Sequence, residues 1–589
     1  MISIKSKNLT QLILDLTITA LFVFSSMFLL NYVLIAGPTA VFLSRSYKLV
    51  GLVFLILSII LIFYLIKNKD FTLKGKFVFP NIKDFILISF PLSPVIGFSI
   101  INLEYLDFFG LLYVIGISFF FSFILSFILP SIFSYFASYQ MLMISGLALS
   151  FTILSMPSIT SSPNSHFFNS QFITQGIYLF FSFLVIYLFY SFNRTVAYTI
   201  TVVFMLTGAV GNIYEKFYGQ EFAEEQTVDR LKTFTKNKKN KIIDKRNIYI
   251  LAYESYPNFE TIEYYGFNND KQKKFLENNN FKIYNGIYSN AASSLASISR
   301  VFDITGKISN NVRYYTSGNA FGLNVFKENG YKTVSIFKSP YYFGAYPITW
   351  DEYYPKTNVS KLGGKIITKA IYEGQFRFDI FDDNYNYDKY LKLKNQYLSS
   401  SPKKPTILYT HNGYPGHSNN SGKCLPNEKE KYFDNVEKAN IEMKNDINVL
   451  KSNDPKAIIV LLGDHGPYLT KNCTDLREFN KDLIDRYDVQ DRYGAFLAIH
   501  WSGQEPLKSN NVEIIQDILP IILSNITNNQ HIFDTLKVER KFFDRFTTRI
   551  SGVNISNGII VGGKDNGKPL FEKRSYRLKN EWNYLLIFF

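Results

Sequence analysis

"AIIVLLGDHGPY", residues 457–468, is the stretch on which the reading of this chain turns. Six apolar residues in a row, three of them β-branched, suit a strand buried on both faces, as in a parallel sheet. The run stops at Asp464 and His465, with Gly463 before them and Gly466 after. In open α/β sheets, ligands bind at the carboxyl ends of the strands. A carboxylate and an imidazole at that point mark the place where a metal site would begin. A hydrogen-bonded turn would use the same two residues.

Other segments repeat the pattern. "NIYILAY" (247–253) is followed by Glu254, and "TILYT" (406–410) by His411, with His417 close behind. "YKTVSIF" (331–337) and "GAFLAIHW" (494–501) are further candidate strands. Short apolar runs alternating with helical patterns predict an α/β domain with a mainly parallel sheet. Three strand ends then carry Glu254, His411 and Asp464–His465 to one edge. The chain has six histidines, so three at these ends is a concentration. A Glu/Asp/His donor set suits zinc or manganese. His500 lies within a strand run and reads as a core histidine; His166 and His531 are assigned no role.

The 589-residue chain has a formal net charge of +15 and divides sharply by composition. Up to Tyr218 it is a series of apolar runs, several reaching the ~20 residues that cross a bilayer. Seven spans are predicted, near 11–35, 48–66, 85–101, 110–129, 139–157, 175–191 and 195–212. The recurrence of the runs does not fit a cleaved signal peptide. Lys5, Lys7, Lys67, Lys69, Lys74, Lys76, Lys83 and Arg194 fall in loops on one side, and Glu104 and Asp107 on the other; Arg45 and Lys48 are exceptions. Positive-inside then puts the N-terminus in the cytoplasm and everything after seven crossings outside; six or eight crossings would reverse this.

The expected organisation is a multi-span α-helical membrane domain over 1–218, a basic linker helix at the membrane surface over 219–245, and an α/β domain over 246–589. The linker, "QTVDRLKTFTKNKKNKIIDKR" (226–246), reads either as a surface for anionic headgroups or as a solvated helix. Nucleic acid is not an expected partner.

A metal site that does chemistry on an ester also needs a nucleophile. "SNAASSLASISRVFDITG" (289–306) places serines ahead of Leu295, Ile298 and Phe302 at helical spacing. A hydroxyl at a helix N-terminus lies beside free N–H groups and the positive dipole end, a ready phosphate site. Ser294 is the candidate and Ser293 the alternative, with Thr305 more distant; a plain N-cap role would use the same serines.

The order Tyr-Glu-Ser (253–255), Ser-Leu-Ala-Ser-Ile-Ser-Arg-Val-Phe (294–302), a His-containing segment (411–417) and Gly-Asp-His-Gly (463–466) resembles the alkaline-phosphatase/sulfatase superfamily. The branch it looks most like is that of the membrane-anchored phosphoethanolamine transferases and the lipoteichoic acid synthases, which transfer phosphoglycerol. "FKENGYKTVSIF" (326–337) and the closing "AFLAIHWSG…NNVEIIQDILPIIL" look like parts of the same fold, so the likeness covers about 246–530 plus a multi-span anchor. It implies Glu254, Asp464, His465 and Ser294 as metal-site residues around one divalent ion, zinc or manganese. Ser294 matches the nucleophile, usually threonine in those transferases, with Ser297 and Phe302 at matching offsets. His417, or His411, matches the histidine that contacts the phosphoryl group or leaving oxygen. A sulfatase formylglycine is not expected: Ala296 and Ile298 stand where Pro and Arg would be.

The implied function moves a phosphoethanolamine or phosphoglycerol head group from a membrane phospholipid to a glycan or lipid-linked sugar through a phospho-Ser intermediate. The implied place is the bacterial cytoplasmic (inner) membrane, with the catalytic domain on the periplasmic side. A metal-dependent phosphodiesterase using water, or a transporter or sensor with a degenerate outer domain, are the alternatives. The only two cysteines, Cys424 and Cys473, follow strand ends at the same edge. In an oxidising compartment they are expected to form a disulfide closing about 50 residues, for which chain entropy gives about 4 kcal/mol.

Overall fold

The computed structural model describes residues 21–22, 59, 77–101, 108–135, 137–160, 171–306, 312–339, 342–343, 348–356, 386–418, 426–471, 473, 480–540 and 552–572. They fall into two compact units, one within Met1–Tyr218 and the other within Gly219–Thr357 and Asp382–Phe589.

Among the described residues the first unit is built of helices, chiefly Ser89–Ile101, Phe108–Phe123, Tyr139–Thr160, Gln171–Phe192 and the start of Arg194–Lys236. Among the described residues, Leu111–Phe133 and Arg194–Gly211 are long and apolar enough to cross a membrane. Tyr139–Ser155 and Ile177–Phe192 are apolar but shorter. The expected spans at 11–35 and 48–66 lie almost wholly outside the described residues. Gly146 shows how closely these helices pack: a Cβ there would run into the backbone of Leu125 and Ser126, the small-residue contact common between membrane helices. The buried Asp84 accepts hydrogen bonds from the hydroxyls of Tyr190 (3.0 Å) and Tyr198 (2.6 Å), so its charge is not left bare.

The helix Arg194–Lys236 runs 43 residues without interruption, so the linker begins inside it rather than at a break. Part of that linker is committed to the second unit. Arg230 pairs with Asp303 (2.8 Å), donates to the carbonyls of Asp303 and Ile304, and lies over the Phe321 ring. Phe234 is buried in the same core. Lys232, Lys236, Lys238 and Lys239 remain exposed.

The second unit is built on a seven-stranded sheet: β1 (Ile248–Tyr253), β2 (Phe281–Ile283), β3 (Lys332–Phe337), β4 (Glu352–Tyr354), β5 (Thr406–Asn412), β6 (Ile458–Gly463) and β7 (Leu497–His500). Its order is β2-β7-β6-β1-β5-β3-β4. The five strands from β6 to β4 are parallel, and β7 runs against them, pairing antiparallel with both β6 and β2. The mainly parallel α/β sheet expected from the sequence is therefore present, with one antiparallel margin. Along β1 the side chains alternate between two cores. Ile248, Ile250 and Ala252 face one, with Ile298, Phe302 and Ile518. Tyr249, Leu251 and Tyr253 face the other, with Val436, Met443 and Ile447. Helices thus cover both faces, which is why the strands read as unbroken apolar runs.

β2 and β4, three residues each, were not anticipated. β5 runs two residues past its expected end, so His411 is the penultimate strand residue and not a loop residue. A small hairpin, β8 (Asn554–Ser556) and β9 (Ile559–Val561), turns on Asn557 and Gly558, both at positive φ as its two-residue turn requires. His500 is packed against Phe281 and donates from Nδ1 to the Asn280 carbonyl, as a core histidine. His531 opens the short helix His531–Thr535, and His166 lies outside the described residues.

A candidate metal and phosphoryl site at the strand ends

Strands β5, β1 and β6 lie side by side, with Tyr253 opposite both Asn412 and Gly463. Their carboxyl ends therefore deliver His411, Glu254 and Asp464–His465 to one edge. β3 ends beside β5, with Phe337 opposite His411, and adds Lys338.

The two glycines around Asp464–His465 now have a physical reason. A Cβ on Gly463 would run into the Tyr256 carbonyl, and one on Gly466 into the Asp491 carbonyl. Other backbone is pressed against the loop at both points, and only glycine admits it. Asp464 is locked by that contact. Its Oδ1 accepts from the backbone N–H of Ser255 (2.8 Å) and of His465 (3.1 Å). Ser255 donates from a left-handed conformation (φ 57°), a strained backbone held where it serves this bond.

His465 donates from Nδ1 to the Gly466 carbonyl (2.7 Å), which leaves Nε2 facing the site. That Nε2 is 3.2 Å from Ser294 Oγ and 3.5 Å from Asp464 Oδ2. His411 bonds the Tyr409 hydroxyl through Nδ1 (2.8 Å), and its Nε2 lies 3.8 Å from Asp464 Oδ2. Both His411 Nε2 and Asp464 Oδ2 are buried without a hydrogen-bond partner. Buried polar atoms are rarely left so.

Ser294 is the first residue of the helix Ser294–Asp303, and Ser293 before it makes no side-chain capping bond. The serine near His465 is thus Ser294. The helix is fixed beneath it by Ser297, which donates to the Asp464 carbonyl (2.7 Å) and bonds Ser289.

Glu254 forms a different arrangement. One carboxyl oxygen is ion-paired with Lys338, and the other lies 4.0 Å from His417 Nε2. The Nδ1 of His417 bonds the Ser418 carbonyl (2.8 Å). Lys338 was not picked out from the sequence, although it follows a strand that ends at the same edge. The Tyr342 ring lies 4.6 Å from that of His411 and was likewise not anticipated. Among the described residues no three His, Cys, Asp or Glu side chains close on one point as they stand. Glu254 is the member of the expected set that is ion-paired with a lysine, Lys338.

The charge states suit a cation. Burial would raise the carboxyls of Glu254 and Asp464, but Lys338 beside one and His465 beside the other outweigh it, and both lie below the ordinary value. Burial pushes the imidazoles down, His411 to about 4 and His465 in the same direction. Two carboxylates and two neutral imidazoles are the protonation states a divalent metal needs. The separations of 3.2–3.8 Å around Asp464, His465, Ser294 and His411 are near the ~3.4 Å between two ligands of a tetrahedral ion with bonds of about 2.1 Å. The donor types and these pairwise spacings suit a divalent cation, although among the described residues no three of the His, Cys, Asp or Glu side chains form a closed group as they stand. Cys473 is disulfide-bonded, while Cys424, the only other cysteine, lies outside the described residues.

No family model and no curated protein matches the chain. Solved structures similar to it include the C-terminal periplasmic domain of EptC from Escherichia coli, in complex with Zn. That pair shares 15% identity over 48% of this chain and 83% of the other, with a TM-score of 0.32. The lipoteichoic acid synthase LtaP from Listeria monocytogenes is similar at 15% identity over 55% and 85%, TM-score 0.31. The integral membrane lipooligosaccharide phosphoethanolamine transferase EptA from Neisseria meningitidis is similar at 11% identity over 75% and 95%, TM-score 0.33. Identity and TM-score are both low, and the case for function lies in the side chains.

Proposed function

We propose that the chain is a membrane-anchored enzyme of the alkaline-phosphatase/sulfatase superfamily, in its phosphoethanolamine and phosphoglycerol transferase branch. It moves a phosphoryl head group from a membrane phospholipid to a glycan or lipid-linked sugar of the cell envelope. The observation that carries this reading is Ser294 Oγ at a helix N-terminus, 3.2 Å from His465 Nε2 and beside Asp464.

Ser294 Oγ, its proton lost to water, attacks the donor phosphorus, forming an O–P bond as the bond to the diacylglycerol oxygen breaks. The helix N–H groups behind Ser294 face the phosphoryl oxygens. Lys338, partly exposed beside Glu254, supplies a positive charge to the same oxygens. His417, a third exposed with Nε2 on the site side, gives a proton to the departing diacylglycerol oxygen. In the second step the acceptor hydroxyl gives its proton to His417, left neutral by the first step, and attacks phosphorus as the O–P bond to Ser294 Oγ breaks. Asp464, His465 and Ser294, with Glu254, would hold a divalent zinc or manganese ion, which when bound lowers the hydroxyl pKa and offsets phosphoryl charge. His411 stands beside the Asp464 carboxylate, its Nδ1 bonded to the Tyr409 hydroxyl and its Nε2 3.8 Å from Asp464 Oδ2.

The membrane anchor suits a reaction whose donor and leaving group are both lipids. A disulfide at Cys473, which we pair with Cys424, needs an oxidising compartment and supports a periplasmic place for this unit. Incubation with labelled phosphatidylethanolamine and phosphatidylglycerol tests the proposal: one of the two releases diacylglycerol. Release from neither contradicts it, and release without any acceptor product favours a hydrolase.

A further inference from the structure

Behind the strand ends lies a second buried cluster of charge. Lys394, in the helix Tyr387–Leu398, is only 1% exposed. Its Nζ donates to Asn412 Oδ1 (2.8 Å) and to Asp446 Oδ2 (2.8 Å), and lies 3.6 Å from Glu442. Tyr253 donates to the same Asp446 oxygen (2.8 Å). Lysine is almost never fully buried unless paired, and an apolar residue of similar volume is often as stable in such a place. The retained charge therefore calls for a role beyond packing.

Asn412 shows what that role is. It ends β5 directly after His411, and its side-chain Nδ2 donates to the Ala252 carbonyl of β1 (2.9 Å). Its backbone carbonyl accepts from the Glu254 N–H (3.2 Å). Asn412 thus ties the end of β1 to the end of β5, between two site residues. Its Oδ1 is held in turn by Lys394 and by the Tyr390 hydroxyl (2.9 Å).

We propose that Lys394 is a positioning residue which, through Asn412, fixes the spacing of Glu254 and His411 and so prepares the site for its metal ion. The inference rests on the proposed reading of Glu254 as a metal ligand and of His411 as the residue beside the ligand Asp464. Lys394 touches no reacting atom and acts by holding the backbone and side chain of Asn412.

The test is zinc affinity of the full-length protein in detergent, measured by competition with a metal-binding dye, beside its melting temperature. Lys394→Met keeps a folded protein and weakens zinc binding by about tenfold to a hundredfold, as second-layer changes do. Tyr390→Phe removes only the neighbouring hydroxyl bond to Asn412 and gives a smaller fall with the fold intact. A folded Lys394→Met protein that binds zinc as the wild type does would overturn the inference alone. If that variant does not fold, unchanged affinity in Tyr390→Phe overturns it. No zinc binding by the wild type would overturn the metal reading and this inference with it.

Discussion

Asp464 and Glu254 are both buried carboxylates at the ends of adjacent parallel strands, yet their surroundings are opposite. Asp464 and His411 have no exposed side-chain surface, and two backbone N–H groups and a glycine on either side fix the Asp464 loop. Glu254 faces Lys338 and His417, which are about a third exposed. One half of the site is sealed and set by backbone; the other opens to solvent and is held by an ion pair that an anion can replace. The difference assigns work. In the proposed reaction the sealed half carries the nucleophile and most of the ion's ligands, and the open half, with Glu254 as the remaining ligand, meets the phosphoryl group and its leaving oxygen.

Substitutions in the two halves should therefore differ in kind. Asp464→Ala should reduce turnover to background and lower zinc affinity more than Glu254→Ala does, measured on folded protein. Equal losses would make the two halves one. Next in size, Lys338→Met should raise the donor KM by about tenfold to a hundredfold, the loss of one charged hydrogen bond, with zinc affinity not reduced. Zinc loss with an unchanged KM would break the assignment. Gly463→Ala should destabilise the second unit by about 1–3 kcal/mol through overpacking against Tyr256, visible as a lower melting temperature. The smallest functional effect is expected at the cysteines. Thiol labelling of the denatured, non-reduced protein should find no reactive thiol, and two after reduction; two before reduction would mean Cys424 and Cys473 are unpaired.

Much of the sealed half was legible in the sequence. Six apolar residues ending in Asp464–His465 state a buried strand and what lies at its end, and the helical spacing of Leu295, Ile298 and Phe302 places Ser294 at a helix start. The order of β1, β3, β5 and β6 was not legible, since it depends on pairings between segments far apart in the chain. β2 and β4 are too short for any periodic pattern. The open half was harder to see, because a lysine after a strand, such as Lys338, looks like any solvated lysine until the fold sets it against Glu254. Lys394 stands near Lys389 and Lys392 in the same helix, and nothing in the sequence sets it apart from them. The glycines were visible, but the reason for them, backbone arriving from Tyr256 and Asp491, was not.

The most direct test is on Ser294 itself. The full-length protein, incubated with phosphatidylethanolamine or phosphatidylglycerol and no acceptor, should release diacylglycerol and gain the mass of one phosphoryl head group. Peptide mapping should place that mass on Ser294, and Ser294→Ala should show neither product. An adduct on another residue, or near-normal turnover in Ser294→Ala, would contradict the account.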